Sequence, residues 1–569
     1  MLLAAAACNP TPTTAPITLS PNPTPTTAGG LPIDGSTVEA LPCEEASATA
    51  TEAEEYLAAL PEPPIVPGAG EEVEELNPGE VPVTFIDPQA AVAADAALAE
   101  AVIPVRPIGA QDQPGDVIRF QQPLTIPNGS QVAEPNIAVN GSRAFLTWNW
   151  FAGRSTDGLA SYQPTDPFSQ LSAEDGTLED GGFCCDQLVQ YIPSFDMWIW
   201  VLQSSTPDSN GENTGGNRIR LKVARGDGGF THTYDLVSSG AGLPGDVWFD
   251  QTKIGSSAGH LFLSINVYTP SEDFVAAIVY RLSLADLAAD ATTVPSCFTT
   301  LNQRNGYGRP LFGLVPVRLA SETMYLGAHF DNARLGIWRW PDDSPSPTFH
   351  VAYTSLNGDA PGYPIPTRQD SNGDVHYDYR CPVAGGGAAS DWCGGSNDRI
   401  TSAWAADEEI GFAWNVGQDP SSNWPYPSVF VVILDAARLQ TCAQGSCVIA
   451  KPNIRSRAHA FQFAAITSNS RGELGLVALY GGGEMKQSCA LGARDRDSAP
   501  TDGFDYSDQF YASDRHTAYG ESGHYLGIWP GPTGGSWTAG CMTLHEANTQ
   551  RNRPSSVHFS YFGRRVDAP

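Results

Sequence analysis

Two sets of side chains in this sequence have the types and spacing to do chemistry. Glu134, Asp186, Asp250, Arg309, Arg399 and His524 each stand at the start of, or just before, a short apolar segment, with Asp398 and His459 adjacent. Trp148, Asn149, Trp150, Gln203, Asn266, His329, Asp331 and Asn415 stand near the end of the segment that follows. If the fold gathers them at one concave mouth, arginine can pair bidentately with a carboxylate. Aromatic faces can also stack on the apolar face of a sugar. That set suits an anionic or sugar ligand. The competing reading is structural, in which the same polar groups satisfy one another and ordered water.

A second constellation is DSNGDVHYD (370–378), which offers Asp370, Asn372, Asp374 and Asp378 at alternate positions. Short oxygen-bearing side chains at that spacing converge on a hard cation, and Ca2+ is the expected ion. DSNGEN (208–213) repeats the pattern with Asp208, Asn210 and Glu212. Neither has the glycine that an EF-hand places sixth, so a solvated turn is the plain alternative. Other chemistries are absent. GGGEMK lacks the GK[ST] ending of a phosphate-binding loop. There is no G-x-S-x-G elbow and no CxxC pair for zinc.

The elements that must position these residues repeat. Short apolar segments begin at Arg143, Met197, His260, Thr323, Glu409, Glu473 and Gly535, spaced 54, 63, 63, 86, 64 and 62 residues apart. Each follows another apolar segment across a turn rich in Asn, Gly, Ser or Asp. Third segments follow in five of the units, such as IRLKVAR, AAIVYRLSL and SVFVVILDA. β-Branched and aromatic enrichment with Gly/Pro punctuation marks all of them as strands. An all-β chain with a period of this size predicts a β-propeller, seven-bladed with six blades as the alternative. It also predicts that a strand within 113–127 closes the last blade, which otherwise ends with the chain.

The domain organisation expected is 1–8 as a signal remnant, 9–30 as a tether, 31–105 as an acidic region and 106–569 as the propeller. Residues 1–105 carry 16 acidic side chains and no Lys or Arg, within a net charge of −32 for the 569 residues. Such a charge repels nucleic acid and keeps the chain soluble. Residues 87–102 read as a helix, with Asp87 as N-cap and Pro88 in its first turn. MLLAAAAC resembles a bacterial lipoprotein signal ending in a lipidated Cys8, although it lacks a positive leading region. The Pro/Thr-rich 9–30 then forms an extended spacer. No segment is apolar for long enough to span a bilayer, so membrane attachment would run only through Cys8. Beyond Cys8 the cysteines number ten, with Cys381/Cys393 and Cys442/Cys447 spaced as local disulfides of an exported protein. Cys184 and the adjacent Cys185 either bond to each other or have distant partners such as Cys43 or Cys297. A monomer on the cell surface, in the periplasm or secreted is expected.

RSTDGLASY (154–162) resembles the Asp-box, S-x-D-x-G-x-T-W, of sialidases and related BNR-repeat propellers, and ARGDGGFTH (224–232) is a weaker copy. The stretch 133–565, with GGFCCDQ and FGR, is similar to uncharacterised bacterial sialidase-like proteins. The resemblance implies a propeller. Of activity it implies only a direction, since one fold hosts many functions. A sialidase would use three arginines on the substrate carboxylate, for which Arg309, Arg399 and Arg515 are the candidates. Asp186 or Asp250 would be the acid. The family's Arg-Ile-Pro motif and an evident Tyr–Glu pair are missing. The leading expectation is therefore a non-catalytic module for a glycan or envelope partner, with an exo-sialidase-like hydrolase and a purely structural propeller as alternatives.

Overall fold

The computed structural model describes residues 38–39, 117–128, 133–171, 182–205, 215–544 except 357–366, 370–374, 382–392, 419–423, 511–525 and scattered shorter gaps, and 555–567. Within them the chain forms seven antiparallel sheets arranged as blades. Six run outward from innermost strands Asn136–Asn140, Gly182–Ile192, Trp248–Ser256, Val315–Pro316, Ile400–Ala406 and Ala460–Ser468 through consecutive strands, and the fourth of them adds Val38–Glu39 outside Thr348–Tyr353. The seventh starts from Gly527–Pro530. Each innermost strand neighbours that of the next blade, and Gly527–Pro530 neighbours Asn136–Asn140, so the ring is closed. The fold is a seven-bladed β-propeller.

Closure uses both ends of the domain. Ser555–Arg564, the third strand of blade 7, pairs on its outer side with Val117–Arg119 and Leu124–Asn128. The expected N-terminal clasp is therefore present, and it supplies the outer strand that the C-terminal segment lacks. The clasp covers the outer edge of Ser555–Arg564, and the propeller leaves only short blade edges. The helix expected over 87–102 lies outside the described residues.

The blades pack through their large aromatics. Trp148, Trp200, Trp338, Trp340, Trp404, Trp414 and Trp537 are almost completely buried. Their neighbours make room with glycine. A Cβ on Gly327 of blade 4 would lie 2.3 Å from the Phe412 ring of blade 5, and one on Gly475 of blade 6 would lie 2.4 Å from the Trp537 indole of blade 7. Burying aromatics of this size, about 150–250 Å² each, dominates the packing between blades.

Disulfides join Cys381 to Cys393, Cys442 to Cys447, and Cys489 to Cys541. The first two match the expected local pairs. The third staples the third strand of blade 6 to the second strand of blade 7. Cys184 and Cys297 are also disulfide-bonded. These bonds suit an extracellular or periplasmic setting. Among the described residues no helix is long and apolar enough to cross a membrane.

Candidate functional site

The loops leading into the innermost strands and those joining second to third strands share one face of the ring, and most of the sequence-derived candidates lie there. Their local geometry comes from a recurring backbone device. The pairing of first and second strands shifts register between Cys184 and Gln187, Asp250 and Lys253, Ile400 and Ser402, and Gln462 and Ala465. In two of these bulges a non-glycine residue has positive φ, namely Gln251 at 52° and Phe463 at 53°, and Glu134 sits at 43° just before blade 1. A bulge inserts one residue and re-aims the side chains beside it. This is how Asp186 and Thr252 come to line one small depression together with Gln187 and Gln203.

Most polar candidates at this mouth are engaged between blades. Gln203 Nε2 of blade 2 donates to Asp250 Oδ1 of blade 3 at 2.8 Å. Gly313 N, leading into blade 4, donates to Asn266 Oδ1 of blade 3 at 3.2 Å. His329 Nε2 of blade 4 donates to the Asp398 carbonyl of blade 5 at 2.6 Å. Phe463 N of blade 6 donates to Asn415 Oδ1 of blade 5 at 2.8 Å. In each pair the residue near the end of a second strand fixes the start of the next blade. Burial lowers the His329 pKa, with Asp398 and Asp331 opposing, so this imidazole is held neutral with its proton on Nε2. Glu134 accepts from Asn149 Nδ2 at 3.3 Å.

Four candidates prove to belong to the framework. Trp148 is 1% exposed and packs against Phe151, Tyr162 and Phe559. Trp150 is 4% exposed and stacks on Phe168. Neither indole offers a face to a sugar. Asp331 pairs with Arg334 three residues on and accepts from Ala333 N at 2.9 Å, so it shapes its own hairpin. His459 Nδ1 donates to the Gly482 carbonyl at 3.3 Å. Arg309, Arg515, His524, Cys8, the 208–212 pattern and Asp370, Asn372, Asp374 and Asp378 lie outside the described residues. Among the described residues no cluster of acids, His or Cys could hold a metal.

The structure adds an aromatic arc that the sequence reading missed. Trp248 meets Tyr268 at 5.4 Å, Tyr268 meets Phe274 at 5.8 Å, and Phe274 meets Phe312 at 5.1 Å. The arc ends where the Arg399 guanidinium lies over Phe312 at 5.3 Å. Trp248, Phe274, Phe312 and Arg399 are all only half-buried. Farther round, Arg455 and Arg457 lie over Trp424 at 4.2 and 5.5 Å. The mouth is thus divided, with Glu134, Asp186 and Asp250 on blades 1–3, an aromatic rim on blades 3 and 4, and cations from blades 5 and 6. The signal available in the sequence was that Phe274 opens a third strand and Phe312 precedes a first strand, positions a propeller puts at the mouth.

In the turn before the outer strand of blade 1, Ser155 Oγ accepts from Leu159 N at 3.0 Å and Asp157 Oδ1 accepts from Ser161 N at 3.0 Å. Asp227, in the corresponding turn of blade 2, instead pairs with Arg143 of blade 1.

No family model matches the chain, and no curated protein matches it. Among solved structures it is similar to Trypanosoma rangeli sialidase, at 9% identity and a TM-score of 0.33 over 66% of this chain and 57% of that one. It is similar to the α-L-arabinofuranosidase Arb93A from Fusarium graminearum, at 9% identity and 0.33 over 78% and 98%. It is also similar to the Hadza microbial sialidase Hz136, at 10% and 0.34 over 60% and 62%. The chain spans little more than half the length of the trypanosomal sialidase. Similarity this distant transfers no residue role.

Proposed function

We propose that this is an exported propeller, tethered through a lipidated Cys8 and the 9–30 spacer, that binds a glycan or other envelope partner at the channel mouth without turning it over. The observation carrying this reading is the half-buried set Trp248, Phe274 and Phe312, backed by the buried Tyr268 and ending in Arg399. Aromatic faces on a concave rim suit the apolar faces of sugar rings, and a cation at the end of the rim suits an anionic substituent. Binding is favoured over hydrolysis because Asp250 and Glu134 accept hydrogen bonds from framework amides.

A second reading, a glycoside hydrolase of exo-sialidase type, draws on one observation. Asp186 lines the depression with Gln203, and Gln203 holds Asp250, so two carboxylates from neighbouring blades approach one pocket. A glycan array and a fluorogenic sialoside assay on the full chain separate the two. Glycan capture lost in Phe312→Ala, with no sialoside turnover, is the expected result. Turnover abolished by Asp186→Asn would replace the binding reading with the hydrolytic one. A wild-type chain that captures no glycan on the array would remove the glycan assignment.

A further inference from the structure

The innermost strands surround an axial channel of about 440 Å3, open solvent included. Its lining includes Asn136, Leu188, Lys253, Arg318, Thr401 and Leu526 and, among the described residues, no carboxylate. Arg318 is the decisive group. Its backbone is fixed on both sides, its N–H donating to the Ala403 carbonyl at 3.1 Å and its carbonyl accepting from Ala405 N at 3.0 Å. From blade 4 its Nη1 reaches the Ile528 carbonyl of blade 7 at 2.8 Å. That is one bond for a group with five N–H donors. Among the described residues it has no ion pair and no other side-chain hydrogen bond. Burial pushes its pKa down to about 10, with no carboxylate acting against that. It therefore remains charged at neutral pH, half-buried and with no counter-charge among the described residues, an arrangement that favours an anion from outside.

A second group in the same channel lacks a partner. Asn136 lies on the innermost strand of blade 1, and its side-chain oxygen is buried without a hydrogen bond. Turning that amide by 180° brings its N–H donors to the same place. The apolar lining from Leu188 and Leu526 and the narrow bore disfavour a large, strongly hydrated anion. We propose that the axial channel holds a monatomic anion, a halide, gripped by the Arg318 guanidinium and the Asn136 amide. Chloride is the abundant halide in an extracellular or periplasmic setting. The site lies in the channel next to the mouth depression, with which it shares Leu188, and it would tie blades 1, 4 and 7 together at the point where the ring closes.

The test is thermal unfolding of the full chain at constant ionic strength in sodium chloride, bromide, gluconate or sulfate. Chloride and bromide should raise the midpoint by about 2 °C over gluconate, as expected for a ligand that binds only the folded state. Arg318→Gln should remove the difference. Equal midpoints in chloride and gluconate, a shift given by sulfate alone, or a halide shift that persists in Arg318→Gln would each overturn the proposal. Should Arg318→Gln fail to fold, a bromide-soaked wild-type crystal decides. An anomalous peak in the channel beside the guanidinium supports the site, and its absence there overturns it.

Discussion

Two stretches of the mouth are built from the same loops and have opposite fates. Between blades 2 and 3, 3 and 4, 4 and 5, and 5 and 6, a polar residue near the end of a second strand is absorbed by the next blade, as Gln203, Asn266, His329 and Asn415 are. From blade 3 to blade 4 the same face also carries Phe274 and Phe312, which pack on each other and, through Phe274, on the buried Tyr268, and which stay half-buried. The difference follows from what burial demands. A polar group at the junction of two blades must find a partner, and the neighbouring backbone is the nearest one. An aromatic ring makes no such demand and can stay partly open.

If that division is right, its two sides respond differently to mutation. The largest effect should come from Gln203→Leu, which removes the inter-blade donor to Asp250. We expect a loss of about 2–3 kcal/mol in denaturant unfolding, and a loss below about 0.5 kcal/mol would break the comparison. Next comes pH. Burial holds His329, His350 and His260 below the ordinary imidazole value, so the fold keeps them neutral while the unfolded chain takes up protons near about pH 6.5. Their contribution is complete above that pH and is lost as the pH falls toward the folded-state values. Unfolding midpoints should fall between about pH 7 and pH 5, with His329→Gln flattening the decline and an unchanged slope counting against it. On the other side, Phe312→Ala should weaken glycan capture about tenfold, read by surface binding, at a stability cost of only about 1 kcal/mol. The smallest stability change should follow Arg455→Ala with Arg457→Ala, within about 0.5 kcal/mol, because both side chains are exposed. A collapse of the fold in that double variant would place the cationic side in the framework as well.

The architecture was legible because strand patterning is local. The seven second strands, five of the third strands and the N-terminal clasp can all be read from apolar runs bounded by turns. The third strand of blade 6, Met485–Arg494, gave little signal, since MKQSCALGAR mixes small and polar residues. Outer strands of three or four residues, Gln163–Thr165 and Val448–Ala450 among them, are too short for a period to show. At the mouth, residue type alone misled. Trp148 and Trp150 have the chemistry for a sugar platform, but their strand-end positions turn them into the core. Whether Gln203 or Asn415 serves a ligand or a neighbouring blade depends on contacts between units some 50 residues apart, which no local pattern encodes. Arg318 could have been found. It follows Val317, which is fully buried, in the innermost segment of blade 4, and alternation along a strand then points it at the axis.

The clasp also sets a schedule for the maturing chain. Thr125 hydrogen-bonds to His558 across 433 positions, so the joint that completes the circle waits until nearly the whole domain has left the ribosome or the secretion channel. Six blades can assemble in order from neighbouring strands while 117–128 stays unpaired, and loop-closure entropy for that last pairing is paid late. In a circularly permuted chain that begins at blade 2 and links the present ends, the pairing of 117–128 with Ser555–Arg564 becomes local, and blade 7 should complete faster.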